Sequence, residues 1–270
     1  MAKTVLVTGA SAGIGKATAI LLAQNGYNVY GGARRTEKMQ DFKNYGIKPI
    51  ALDVTKDESV MACFEQISKE AGSIDILINN AGFGSYGAIE DVTMQDAKYQ
   101  LEVNVFGAMR LTQLVLPKMR QNKYGKIVNI SSVGGKIALP LGAWYHASKF
   151  AIEALSDAMR LEVKQFGIDV IVIEPGGTNS EWGDVALESM ERVSGNTAYK
   201  EMVKSLDKGF KQTLNKNAEP IVIARLIKKG IEANKPKTRY VGGYMAKPML
   251  FLRNLLSDKM LDRILMSSIK

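Results

Sequence analysis

A chain of 270 residues suits one large α/β domain better than two ordinary ones, and 46% hydrophobic with 23% charged residues is the composition of a globular protein with ample core. No apolar stretch approaches the roughly 20 residues of a membrane span, and no cleavable leader is legible where the first apolar run passes into a glycine motif. The formal charge of +9 belongs to the C-terminal quarter: residues 1–199 carry 20 Lys and Arg against 21 Asp and Glu, residues 200–270 carry 16 against 6. That excess suits a solvated basic surface, or attraction to an anionic membrane or an acidic substrate group. Nucleic acid is not expected, because no recognition fold or interleaved aromatic pattern accompanies the charge. The single cysteine, Cys63, excludes an internal disulfide framework, fits a cytoplasmic setting, and reads as a small buried helix residue.

Short β-rich apolar runs alternate with longer helical patterns, the signature of βαβ units around a parallel sheet. Strands are predicted over 4–8, 28–33, 49–52, 74–78, 126–130, 169–173 and 238–241. Helices are predicted over 13–24, 56–71, 94–119, 145–165 and 220–233, with a looser helix-prone stretch over 180–217. The strands are continuously apolar, as strands buried on both faces are. No repeat or linker interrupts the pattern. The expectation is a single-domain, Rossmann-type doubly wound parallel sheet of about seven strands with a C-terminal helical extension.

The segment Thr8-Gly9-Ala10-Ser11-Ala12-Gly13-Ile14-Gly15 follows the first strand and opens the first helix. Its glycines let the backbone turn tightly and approach a pyrophosphate, with helix N-terminal N–H groups behind it. The spacing is Gly-x-x-x-Gly-x-Gly, not the dinucleotide fingerprint Gly-x-Gly-x-x-Gly. It resembles the cofactor motif of the short-chain dehydrogenases/reductases, in particular their 17β-hydroxysteroid-dehydrogenase-like members. Asn79-Asn80-Ala81-Gly82 matches that family's Asn-Asn-Ala-Gly without a substitution, and the resemblance is strong over about residues 1–180.

An NAD-preferring site places a carboxylate at the end of the second strand. Here that position is Ala33, followed by Arg34 and Arg35, whose guanidiniums suit a 2′-phosphate, so NADP(H) is the expected cofactor. The resemblance further implies that Asp53 and Val54 contact the adenine, and that Asn80, Ala81 and Gly82 lie near the nicotinamide-side ribose. Ser11, Gly13 and Ile14 belong to the phosphate turn. Past the sixth strand, Pro175 and Gly176 match the family's Pro-Gly. A hydroxyl for the carboxamide survives at Thr178 and at Ser180, with the choice between them open.

Tyr145 and Lys149 are four apart and share a helix face. A phenol is a poor base near its reference pKa of about 10, and a nearby ammonium, with the positive oxidised nicotinamide, lowers it. The hydroxyl of Ser131 or Ser132 follows the fifth strand; the family's 13-residue offset to the tyrosine selects Ser132, which would hold the substrate oxygen. The resemblance adds Asn104 as a helix-perturbing member of the catalytic group and gives Lys149 the ribose hydroxyls. His146, the only histidine, points about 100° away from Tyr145 on a helix, which suits a structural or substrate-lining role.

The chemistry implied is hydride exchange between NADP(H) and a carbonyl or secondary alcohol. Residues 178–217 take the place of the family's substrate flap, with Trp182, Val185, Leu187 and Met190 as candidate lining. Leu139, Leu141 and Trp144 are candidates for the opposite wall. Such walls suit a steroid, a retinoid or a lipid ketone. The tail over 248–269, within a C-terminal segment 245–270, steps in threes and fours as one amphipathic helix that would pack on the domain, on a sister subunit of a homo-oligomer, or in a membrane interface. The competing class is an NADP-binding regulator or scaffold that kept the fold without the chemistry, and the presence of all four catalytic-type residues argues against it. No metal site is expected.

Overall fold

The computed structural model describes residues 2–267. Seven strands form one parallel sheet in the order β3-β2-β1-β4-β5-β6-β7: β1 Thr4–Thr8, β2 Asn28–Ala33, β3 Lys48–Ala51, β4 Ile76–Asn79, β5 Gly125–Ile130, β6 Ile168–Pro175 and β7 Arg239–Gly242. The apolar β1, β4 and β5 are buried along their whole length, because helices cover both faces: α1 Gly13–Gln24 and α8 Pro220–Glu232 on one side, α2 Asp57–Ala71, α4 Gly107–Asn122 and α5 Ala143–Val163 on the other. Chain order reverses between β1 and β4. In such sheets ligands bind outside the carboxyl ends of the strands at that switch point, and there the glycine turn between β1 and α1 meets the loop after β4.

Most strands and helices fall where periodicity puts them. Three departures matter to the site. The helix predicted over 94–119 is broken in two: α3 Met94–Leu101 and α4 are joined by a π-helical turn, Glu102–Phe106, that carries Asn104. Such a bulge re-aims one residue and often marks a functional site. The loose stretch over 180–217 resolves into two helices, α6 Glu181–Ser194 and α7 Lys200–Thr213. The predicted tail helix is two helices, α9 Ala246–Leu255 and α10 Asp258–Ser267, separated by the extended backbone of Leu256 (φ −96°, ψ 146°); Ile269 lies outside the described residues. Two short 3₁₀ turns over Thr36–Tyr45, meeting at a kink at Met39 and not expected from the sequence, bury Met39 and Phe42. No helix among the described residues is long and apolar enough to cross a membrane.

Cys63 is buried in α2, and burial pushes its thiol up to about 12, so it behaves as core. At the far edge, Arg239 on β7 donates to Glu153 at 2.9 Å and to Asp157 at 2.7 Å, both on α5. Lys136 also pairs with Glu153 at 2.9 Å. These bonds to a buried carboxylate clamp α5 to the sheet and fix the helix that carries Tyr145 and Lys149.

Candidate active site

One cavity of about 960 Å³ runs along the carboxyl ends of the strands. Its wall includes Gly9, Ser11, Gly13 and Ile14 of the turn, Arg34 and Arg35 after β2, Asp53 and Val54 after β3, Asn80, Ala81 and Gly82 after β4, and Pro175, Gly176 and Thr178 after β6. Ser132, Tyr145 and Lys149 share it. The structure therefore brings nearly every residue singled out in the sequence to one hollow. Gly15 and Asn104 stand just behind the wall.

The glycine turn is shaped for a phosphate pair. Gly9 and Gly13 adopt φ of +65° and +53°, which L side chains rarely accept. A Cβ on Gly9 would stand 2.9 Å from the Ala81 Cα, so the turn and the loop after β4 touch backbone to backbone. Ala12 caps α1 without a side-chain hydrogen bond, leaving first-turn N–H groups at the positive end of the helix dipole. A pyrophosphate fits that cradle. Asn80 stands in the cavity wall, and its side chain is also bonded within the protein: its amide donates to the carbonyl oxygens of Thr8 at 2.9 Å and Gly9 at 3.3 Å, and Thr8 Oγ1 accepts from the N–H groups of Asn80 and Ala81. These bonds stitch β4's loop to the turn.

At the end of β2, Ala33 offers no carboxylate. Arg34 Nη1 donates to the Tyr99 hydroxyl at 3.1 Å, while Arg35 and Lys38 both reach Glu181, the first residue of α6, at 2.7 Å. The start of α6 is thus tied to the arginine end of the cavity. Burial opposes ionisation of Asp53, but hydrogen bonds from the Thr55 hydroxyl and N–H, with the Arg34 charge, hold it below the usual carboxylate range.

Around the catalytic group the order is tight. Asn104 is buried, accepts from the Phe83 N–H at 3.0 Å, and donates to the Phe83 carbonyl and to Ser148 Oγ at 3.0 Å each. It therefore pins the loop after β4 to α5. Ser132 Oγ accepts from the Gly134 N–H at 3.0 Å and lies within hydrogen-bond reach of the Tyr145 hydroxyl. Ser131 is buried, and its Oγ has no partner among the described residues. Lys149 Nζ donates to the Ile130 carbonyl at 2.8 Å and stands 5.9 Å from the Tyr145 ring centroid.

The protein's own groups set the resting state of the pair. Burial pushes the Tyr145 phenol up to about 12, against the opposing hydrogen bond of Ser132. Lys149 donates to the Ile130 carbonyl and is itself brought down to about 8 by burial, with Glu153 opposing. The chain's own groups thus keep the phenol protonated. They make it an acid in waiting; the lowering expected of the Tyr145–Lys149 pair also draws on the positive oxidised nicotinamide.

Of the candidate lining residues, Trp182, Val185 and Leu187 of α6 and Leu139 before α5 stand in the wall. Met190 and Leu141 do not line it; they are buried in a satellite core with Ala186 and Val203. Trp144 is also absent from the wall. Two features are new. Tyr86 packs its ring 5.7 Å from Tyr145 and 5.9 Å from Trp182, and Phe210, Met245, Met249 and Leu265 add apolar side chains to the wall. No spacing rule marks Tyr86, which sits in an irregular loop. The aliphatic residues of the tail were visible only as an amphipathic pattern.

The pattern of the short chain dehydrogenase family matches residues 3–190. The chain is 43% identical over 181 residues to a protein of Bacteroides thetaiotaomicron named 3-ketodihydrosphingosine reductase, a match covering 67% of this chain and 65% of that one. It is 34% identical to an NADPH-dependent 3-dehydrocapnine reductase of Ornithobacterium rhinotracheale, covering 98% and 96% of the two chains. A solved short-chain dehydrogenase from Streptomyces avermitilis is 33% identical and superposes with a TM-score of 0.81 over 97% of this chain and 94% of that one. With its seven-stranded sheet and its glycine turn, the chain belongs to the short-chain dehydrogenase family and is an oxidoreductase of that family.

Proposed function

We propose that the protein exchanges hydride between NADP(H) and a hydrophobic carbonyl or secondary alcohol, and that its substrate is a long-chain lipid ketone. The observation that carries this reading is the single cavity, which joins the glycine turn and Tyr145 to an apolar end formed by the flap and the last two helices. The two named relatives are a 3-ketodihydrosphingosine reductase and an NADPH-dependent 3-dehydrocapnine reductase, which favours a lipid chain over the steroid or retinoid that the same walls, and the 17β-hydroxysteroid-dehydrogenase-like resemblance, would also suit.

NADPH lying along the turn would supply the hydride to the carbonyl carbon. Tyr145 gives its proton to the carbonyl oxygen, and Ser132 donates a hydrogen bond to that oxygen as negative charge builds there. Lys149 lends positive field to the phenolate left behind, and Asn104 holds the loop and helix in register. In the reverse direction the phenolate takes the alcohol proton. Ala33, Arg34 and Arg35 support NADP over NAD, and Arg34→Asp is expected to raise the KM for NADPH at least about tenfold while changing that for NADH little. An unchanged preference in paired assays would move the 2′-phosphate contact elsewhere. Rates with NADPH across a panel of long-chain ketones test the whole reading; no turnover of any would overturn it.

His146 supports an amino or hydroxy group beside the ketone. Its Nδ1 lies 3.0 Å from the Gly134 carbonyl and so carries the hydrogen, which leaves Nε2 an acceptor, buried and without a partner among the described residues. Burial lowers its pKa and keeps the ring neutral, with the bond to Gly134 opposing. His146→Leu is expected to raise the KM about tenfold for a ketone bearing such a donor and to leave a plain alkyl ketone within about twofold. An equal effect on both would make the residue purely structural. We further read the protein as cytoplasmic, in keeping with its one buried thiol, and as a homo-oligomer through the exposed Phe106, Phe150 and Leu161.

A further inference from the structure

The last two helices have an inner and an outer side with different jobs. Met245, Met249 and Leu265 reach the cavity wall. One helix thickness away, about 10 Å, the opposite side is apolar and open: Phe251 and Leu255, one turn apart, are 65% and 67% exposed, and Met260 and Ile264, one turn apart on α10, are 51% and 45% exposed. Lys247 lies one turn before Phe251 on the same face, and Lys259 and Arg263 adjoin Met260 and Ile264. Residues 246–267 hold four basic side chains against two acidic ones. Another wall of the cavity repeats the pattern. Leu206, Phe210 and Leu214 line it from α7 and its end, Leu214 is also 40% exposed, and residues 200–217 carry five lysines against two acids.

We propose that this basic, apolar face docks on an anionic lipid surface, and that the substrate passes from that surface into the cavity between α7 and the last two helices. The second half rests on the lipid-ketone reading above; the docking does not. The charge decides the occupant. A second copy meeting this face across a two-fold axis would set basic side chains against basic side chains, whereas an anionic headgroup layer attracts them and takes up the aromatic and aliphatic residues between them. An exposed apolar strip walling a lipid-sized cavity also shortens the path of a poorly soluble substrate, which would otherwise cross water.

The test is co-sedimentation of the full chain, without substrate or cofactor, with vesicles of phosphatidylcholine containing about one-third phosphatidylglycerol, and with phosphatidylcholine alone. Wild type should partition onto the anionic vesicles at least about tenfold better than onto the neutral ones, with the difference shrinking at high salt. The double variant Phe251→Asp with Leu255→Asp should lose that partitioning at least about tenfold while keeping its thermal unfolding midpoint, since both side chains are already exposed. A charge variant, Lys247→Glu with Arg263→Glu, should lose the preference for anionic vesicles. Equal sedimentation by wild type and the Phe251/Leu255 variant overturns the proposal. So does failure of wild type to sediment, including the case in which the face instead proves to hold a dimer that the same variant splits. None of these readouts depends on turnover, so a wrong substrate class and a wrong docking surface give different results.

Discussion

Tyr145→Phe is expected to lower ketone turnover by about 10²- to 10⁴-fold, the size of a lost general acid, while NADPH affinity stays within a few fold of wild type. The substitution removes one oxygen from a ring whose packing against Tyr86 and Trp182, at 5.7 and 5.0 Å between centroids, is made by carbon. The fold therefore has little reason to respond. The chemistry does, because no other acid in the cavity wall shares a hydrogen bond with Ser132. Steady-state rates with a fixed ketone, beside a fluorescence titration of NADPH, separate the two effects. Turnover near wild type would remove Tyr145 from its role and would favour a scaffold that merely binds the cofactor.

The pH profile gives the same residue an independent reading. Burial holds the Tyr145 phenol up near 12, so the proton it donates is present at every working pH. The lysine behind it titrates much lower, brought down to about 8. A lysine is charged below its pKa and neutral above it, so the field that supports the departing phenolate is present below about 8 and fades as pH rises through that value. Reduction should therefore be flat at lower pH and decline above about 8, by at most about tenfold per unit for a single deprotonation.

Residues whose chemistry is local were legible before any coordinates. The strands could be read because burial on both faces makes them continuously apolar, and the glycine turn because glycine takes φ of +65° and +53° without the penalty a side chain brings. Tyr145 and Lys149 declared their shared face by spacing alone. What stayed hidden depends on contacts between distant segments. The π-helical turn at Glu102–Phe106 has no propensity signal of its own; it follows from Asn104 binding Phe83, 21 residues away, at both N–H and carbonyl. Tyr86 enters the wall only because Ser189 on the flap holds its backbone, accepting from its N–H at 3.1 Å. The single helix expected of the tail failed because the three- and four-step pattern carries across Leu256 and Ser257, while the backbone there is extended. Amphipathic periodicity records which side is apolar, and it is blind to a break that keeps the phase. The Tyr145 phenol shows the same limit in energetics. Spacing shows that a lysine is near, but only the fold shows that burial dominates the phenol and that the ammonium also donates to Ile130.

Gly15→Ala should be nearly as damaging as the loss of Tyr145, by a different route. The added methyl would overlap the Gly9 carbonyl oxygen and stand 2.5 Å from Asn80 Nδ2 and 2.9 Å from the Gly9 carbonyl carbon. None of these can give way cheaply. Gly9 is backbone pressed against Ala81, and the Asn80 amide is committed to the Thr8 and Gly9 carbonyls. The turn must open instead, which costs about 1–3 kcal/mol of overpacking and lowers the unfolding midpoint by a few degrees. The larger effect falls on binding, because the first-turn N–H groups of α1 leave the positions where they converge on a pyrophosphate. NADPH affinity should fall at least about 10²-fold by fluorescence titration, the scale set by losing two charge-assisted hydrogen bonds. Gly183→Ala is the control. That glycine lies in α6 with nothing within 4 Å of its added methyl, so the change should leave stability unchanged or slightly raised by better helix propensity. If Gly15→Ala bound NADPH as wild type does, the turn would be a strand–helix connection only, and the arginines at the end of β2 would be left without a cofactor to select.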